Sequence, residues 1–241
     1  WAFAQDIPYN KAQFKASHNS YAKDISIWDQ LTIHNFQAIE FDLHKKKWLK
    51  NAPNGDWYVY HHAFDQRSQI KYLADGLDVL VRYQKTFPNH KVLTVFMDMD
   101  GFNEDHSIEM FNHLLKDKIG DSLFTPQNLK ALCDDNLSLI QSVKQCGWPT
   151  LSKLQGKVLI VLTSGDLKEY AELSKNPVAF VASKPKNKIH DSIFMNIAYN
   201  KNIDWLKSLQ LKNMITRFYF VKGKEEFKDS IKRITDDVTR R

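Results

Sequence analysis

Glycine and proline are scarce, eight and seven in 241 residues, which excludes a collagen-like chain and a Gly/Pro-rich disordered tail. Cysteine is scarcer still: Cys133 and Cys146 form at most one bridge and no zinc site by themselves, so this is not a disulfide miniprotein. No apolar run approaches the roughly 20 residues a membrane helix needs. Low-complexity segments, internal repeats and Pro/Gly/Ser linkers are also lacking, so 1–241 reads as a single domain. No G-x-G-x-x-G follows any apolar segment, which counts against a dinucleotide fold.

What is present is a chain with 43% hydrophobic residues, enough to bury a real core, and a formal charge of +6. The charge favours anionic partners such as nucleic acid, phosphate esters or an acidic membrane surface; the plainer reading is an enzyme with a mildly basic surface. No nucleic-acid recognition motif accompanies it, so no nucleic-acid partner is expected. Near the start, Ala2-Phe3-Ala4 has the small-x-small form of a signal-peptidase site. On that reading residues 1–4 end a signal peptide, the protein is secreted or periplasmic, and a Cys133–Cys146 bridge can form.

Eight short apolar or alternating segments read as strands: Gln13–Ala16, Gln37–Leu43, Trp57–His61, Val92–Met99, Lys157–Leu162, Val178–Ala182, Ser192–Ile197 and Met214–Phe220. Helical patterns lie between several of them, with Ile70, Leu73, Leu77, Leu80 and Val81 before Pro88 and Ile108, Phe111, Leu114 and Leu115 after it. Phe227, Ile231, Ile234 and Val238 form a last amphipathic helix. Strands alternating with helices predict a parallel α/β sheet, and eight of them predict a (β/α)8 barrel of the TIM type. Little room is left for a helix between the sixth and seventh segments, so the barrel is expected to be irregular.

In such a barrel the active site collects at the C-terminal strand ends. The first strand runs into Ser17-His18-Asn19-Ser20-Tyr21. In the second, a period of two puts Glu40, Asp42 and His44 on one face. The third ends in His61-His62 and the fourth in Asp98-Met99-Asp100-Gly101. Acids inside a strand covered on both faces are costly unless paired or metal-bound. Each element has a plainer reading: an ion pair with a barrel cation, a structural histidine, or a loop start with Asn103 as a helix N-cap. The consecutive run at four strand ends favours function. Carboxylates with an Asn carbonyl make an oxygen-rich shell suited to a hard cation, Ca²⁺ or Mg²⁺, rather than zinc, and leave the histidines for acid and base work.

These residues resemble the calcium-dependent phosphoinositide-specific phospholipases C, including their bacterial secreted members. Ser17–Tyr21 resembles the family's first histidine motif, Ile39-Glu40-Phe41-Asp42 its second, Val59-Tyr60-His61 its third, and Phe96-Met97-Asp98 its fourth strand. Trp148-Pro149-Thr150 and Leu154–Val158 resemble the lead into strand five, and Thr216-Arg217-Phe218-Tyr219 an Arg-x-Tyr on the last strand. The resemblance implies a phosphodiesterase with catalytic His18 and His61, a Ca²⁺ ion on Asn19, Glu40, Asp42 and Asp98, and substrate held by Arg217 and Tyr219. It implies attack by the inositol 2-hydroxyl on phosphatidylinositol, releasing diacylglycerol and an inositol cyclic phosphate. The proton acceptor is Glu40, Asp98 or His18.

Three departures qualify the likeness. Asp98 stands where the family usually has Glu, and Val161 and Thr163 stand where eukaryotic members carry lysines for extra ring phosphates. The length has room only for the barrel. The expected partners are a phosphatidylinositol-type lipid and a membrane surface, met by Lys45-Lys46-Lys47-Trp48-Leu49-Lys50, and the expected state is a monomer. Competing readings are a glycerophosphodiester or sphingomyelin phosphodiesterase on the same barrel, and a phosphoinositide-binding module that has lost catalysis.

Overall fold

The computed structural model describes residues 6–62, 64, 67–174, 176–184, 188–198 and 213–219. The expected helix at 227–238 and positions 1–4 lie outside them. In chain order the strands are β1 (Ala38–His44), β2 (Lys46–Lys47), β3 (Lys50–Asn51), β4 (Tyr58–Val59), β5 (Leu93–Met99), β6 (Val158–Leu162), β7 (Phe180–Ser183), β8 (Phe194–Ala198) and β9 (Ile215–Tyr219). The helices are α1 (Ile27–Thr32), α2 (Leu73–Thr86), α3 (Ile108–Ile119), α4 (Pro126–Ala131), α5 (Leu139–Gln145) and α6 (Leu167–Leu173).

Seven strands form one sheet in the order β4-β1-β5-β6-β7-β8-β9, parallel throughout except for β4. Along its strands two apolar clusters alternate with the period of two that extended backbone imposes. Ile39, Phe41, Leu43, Val95, Met97, Ile160 and Leu162 pack outward in a cluster with Leu73, Leu77 and Leu80 of α2 and Phe111 and Leu115 of α3. Ala38, Phe96, Leu159, Val161, Phe180, Ala182 and Phe194 pack inward in a second cluster. A flat sheet would hold β1 and β9, five strands apart in this order, about 24 Å from each other at roughly 4.8 Å per strand. Arg217 on β9 nevertheless bonds Glu40 on β1 at 2.5 Å, so the sheet is curled round on itself as an irregular TIM-type barrel.

Two of the expected parallel strands are not what the pattern predicts. Gln13–Ala16 contributes a single parallel bridge, Ala16 to Ala38, supported by Ser17 N–H to Ala38 O at 2.9 Å. Trp57–His61 supplies only Tyr58–Val59, and it runs antiparallel to β1. The chain between β1 and β4 is spent on the β2–β3 hairpin instead of a crossover helix, and without a crossover a returning strand pairs antiparallel. Asn103 does not cap α3. Ser107 does, its hydroxyl accepting the Met110 N–H at 3.2 Å, while Asn103 and His106 close a turn just before.

The sixth and seventh predicted strands, β7 and β8, are joined with no helix among the described residues between them, as their spacing predicts. Cys133 and Cys146 are disulfide-bonded, fastening the end of α4 to the end of α5. Closing a loop of this size stabilises a fold by about 3 kcal/mol.

Candidate active site

The chain enters the C-terminal rim through Ser17–Tyr21, and β1 anchors that loop. Ser20 Oγ accepts the Glu40 N–H and donates to Ser17 O, both at 2.9 Å. Asn19 then takes the left-handed conformation, φ 49°, which Asn tolerates better than most residues, and its N–H reaches Glu40 Oε2 at 3.0 Å. The turn sets His18 Nε2 3.5 Å from the same oxygen. Asn19 Oδ1 is buried and has no hydrogen-bond partner among the described residues.

Glu40 and Asp42 both point inward, and each is bonded from several elements. Glu40 Oε1 takes Arg217 Nη2 at 2.5 Å; Arg217 also lies over the Phe96 ring and 3.4 Å from Asn196 Oδ1. Asp42 Oδ2 accepts the Tyr21 hydroxyl at 2.7 Å and pairs with His61 Nδ1 at 2.9 Å. Because a carboxylate only accepts, Nδ1 is the nitrogen that carries the hydrogen of this bond. Burial pushes the Asp42 carboxyl above its ordinary range; the bonds from His61 and Tyr21 draw it back, and the charges of Glu40 and Asp98 raise it again.

Asp98 stands beside Asp42 in strand register, and Ser164 Oγ donates to its Oδ1. Asp100 belongs to a different feature: its carboxylate accepts the Lys45 N–H at 3.1 Å and supports the loop after β1. His44 shares the face of Glu40 and Asp42 but stacks on Tyr60 with ring centroids 4.1 Å apart. His62 packs on His61 at 4.0 Å. Tyr219 is on β9 in register with Ala198; its side chain lies outside the described atoms.

One rim therefore carries His18, Asn19, Glu40, Asp42, His61, Asp98 and Arg217. Arg217 directs Nη2 to Glu40. Tyr21 and Ser164 were given no role by sequence reasoning. Tyr21 sits inside the quoted motif, whereas nothing in the chain marks Ser164, whose partner Asp98 is 66 residues away.

The sequence profile described as Ca²⁺-dependent phosphoinositide phospholipase C matches residues 56–241. The chain belongs to that family. Among solved structures it is similar to the calcium-dependent phosphoinositol-specific phospholipase C of a Gram-negative Pseudomonas species, in its myoinositol complex. That match has 21% identity and a TM-score of 0.82 and covers 95% of this chain and 88% of the other. It is also similar to the Ca²⁺-dependent phosphatidylinositol-specific phospholipase C of Streptomyces antibioticus, at 18% identity and a TM-score of 0.64, covering 83% and 79%. At these identities the structural likeness speaks to the fold, which is the phospholipase C barrel. None of the curated proteins matches the sequence.

A phospholipase C of this family is an enzyme that depends on Ca²⁺, and the rim chemistry suits that ion. Asn19 Oδ1 is a buried carbonyl oxygen with no donor among the described residues, and it lies on the rim with the oxygens of Glu40, Asp42 and Asp98. Hard divalent cations take such all-oxygen sets. Among the described residues no three carboxylate, imidazole or thiol groups already converge on one point. Each carboxylate instead engages a protein donor: Arg217 for Glu40, Tyr21 and His61 for Asp42, Ser164 for Asp98.

Proposed function

We propose that this phospholipase C cleaves phosphatidylinositol to diacylglycerol and an inositol cyclic phosphate, as a single catalytic barrel with His61 as general acid. The observation that carries the reading is the 2.9 Å bond between His61 Nδ1 and Asp42. It holds the imidazole in one tautomer and one orientation, which leaves Nε2 as the nitrogen that would serve the departing diacylglycerol oxygen. His18, with Nε2 3.5 Å from Glu40 Oε2, stands by the phosphoryl oxygens. Asn19, Glu40, Asp42 and Asp98 hold the cation, which when bound lowers the pKa of the attacking hydroxyl and offsets phosphoryl charge. Glu40, Asp98 or His18 takes the 2-hydroxyl proton. Arg217 and Tyr219 serve the head group. On β6, Val161 and the adjoining Thr163 are fully buried, with no lysine there to meet additional ring phosphates, which supports phosphatidylinositol itself as substrate.

The test is product analysis on phosphatidylinositol, on sphingomyelin and on a glycerophosphodiester. The expected result is an inositol cyclic phosphate from the first alone, with Ca²⁺ present and none in chelator. A cyclic product requires the neighbouring hydroxyl, so cleavage of the other two at a comparable rate would replace this reading with a general phosphodiesterase. Binding without turnover of any of the three would leave a binding module.

The membrane surface is the proposed partner. Trp48 and Leu49 form the tip of the β2–β3 hairpin, 59% and 100% exposed, and Phe64 packs edge-on to Trp48 at 4.3 Å. Lys45, Lys46, Lys47 and Lys50 flank them, and Lys47 lies over the Tyr60 ring, next to His61. Apolar tips inserted among headgroups, with lysines each contributing about 1 kcal/mol near an anionic leaflet, suit this arrangement. Trp48→Ala should weaken binding to phosphatidylinositol-containing vesicles about tenfold. Turnover of a soluble inositol phosphodiester should be unchanged. Vesicle binding that ignores the substitution, salt and anionic lipid content would remove the hairpin from the interface. The Cys133–Cys146 bridge supports an oxidising location, secreted or periplasmic.

A further inference from the structure

The loop after β6 grips the end of β5 at several points. Ser164 Oγ accepts the Met99 N–H at 2.9 Å and has one hydrogen to give. Its possible acceptors are Asp98 Oδ1 and Met99 O, the latter at 3.0 Å. The charged oxygen is the stronger acceptor and takes the proton. Two residues on, Asp166 Oδ2 accepts the Phe102 N–H at 2.9 Å.

Between these contacts the two backbones are pressed together. Gly165, at φ 83°, has so little space that a Cβ there would lie 2.8 Å from Met99 O and 3.0 Å from Gly101 N. Gly101, at φ 95°, faces Asp166 so closely that a Cβ would overlap its carboxylate. Both positions need glycine for conformation and for clearance. The clasp therefore joins β5 and β6 immediately beyond their ladder, beside Asp98 near the C-terminal end of β5.

We infer that Ser164 is a positioning residue for Ca²⁺ binding: by fixing Oδ1 of Asp98 it presents Oδ2 to the cation, with Gly165 and Asp166 holding the loop that carries it. The inference rests on the proposal that Asp98 is a ligand. An Asp carboxylate rotates readily about its terminal torsion, so an unanchored one must be ordered when the cation binds. Partners of ligating carboxylates commonly change metal affinity by ten- to a hundredfold. With one oxygen anchored by Ser164, Asp98 would have its other oxygen left for the cation.

Calorimetric titration of the full chain with Ca²⁺, alongside thermal melting in chelator, tests this. Ser164→Ala should weaken Ca²⁺ about ten- to a hundredfold, and Ser164→Thr, which keeps the hydroxyl, should restore most of the affinity. Gly165→Ala keeps every hydrogen-bonding side chain but displaces the loop, and should weaken Ca²⁺ too. Asp98→Asn separates the two levels of the argument. If Asp98→Asn loses Ca²⁺ while Ser164→Ala binds it as wild type does, or loses only melting temperature, the positioning role is overturned and the ligand stands. If Asp98→Asn binds Ca²⁺ normally, the ligand reading falls and the positioning role with it.

Discussion

His61→Ala should slow phosphatidylinositol cleavage by about 10²- to 10⁴-fold, the range a positioned general acid contributes. The melting temperature should hardly move, because the side chain is 41% exposed and Asp42 keeps its bond from Tyr21. The size of the loss should depend on the leaving group. Diacylglycerol leaves as a poor alkoxide and needs a proton; a nitrophenolate leaves without one. With an inositol phosphate ester of nitrophenol, most of the His61→Ala deficit should disappear. An equal loss on both substrates would mean that His61 does something other than protonate the departing oxygen. Asp42→Asn should also slow cleavage of the natural lipid, since an amide anchors the His61 ring less firmly than the carboxylate does and is a poorer ligand for the proposed cation.

Glu40→Gln should be the most damaging change to the fold among the rim substitutions. It leaves the Arg217 guanidinium, 8% exposed, against a neutral amide inside the barrel. Breaking a buried pair from one side costs about 3–5 kcal/mol, because the remaining charge stays desolvated. Replacing both partners, Glu40→Gln with Arg217→Met, should recover much of that stability, since the buried guanidinium charge is then removed as well. The double variant should still fail to respond to Ca²⁺, in melting temperature or in turnover. A Glu40→Gln single variant that melts like wild type would show that the pair contributes nothing to holding β1 and β9 together. The comparison matters for mechanism because Glu40, a proposed Ca²⁺ ligand, is already paired with Arg217. Its Oε1 is committed to Arg217 and its Oε2 to Asn19 N–H and His18, so the strength of the Arg217 bond bears on how readily Glu40 turns to Ca²⁺.

Much of this arrangement was legible along the chain wherever the information is local. Extended backbone alternates faces, so Glu40 and Asp42 could be assigned to one side of β1 and Ile39, Phe41 and Leu43 to the other, and the two apolar clusters divide along that line. The helix before Pro88 and the helix over Ile108–Leu115 followed from spacing of the same kind, and both formed. The ordered motifs led to the family, which the profile match then showed. Asn103 was misplaced as a cap because Asn, Asp and Ser cluster there, and the choice among them depends on where α3 meets the sheet.

The sequence by itself determined the kind of fold, the kind of chemistry and the order in which the strand ends deliver their polar side chains, because each of these rests on residues within a few positions of one another. Only the tertiary structure decided which of those side chains meet. The antiparallel course of β4 brings His61 to Asp42. The curl of the barrel closes Glu40 onto Arg217 across 177 positions. The loop after β6 supplies Ser164 to Asp98. Hydrogen bonds have a reach of about 3 Å and take no account of sequence separation, so partners this far apart leave no periodicity to read. The same division applies to the scarce residues: two cysteines fixed the number of possible bridges at one, and the packing of α4 against α5 made that bridge.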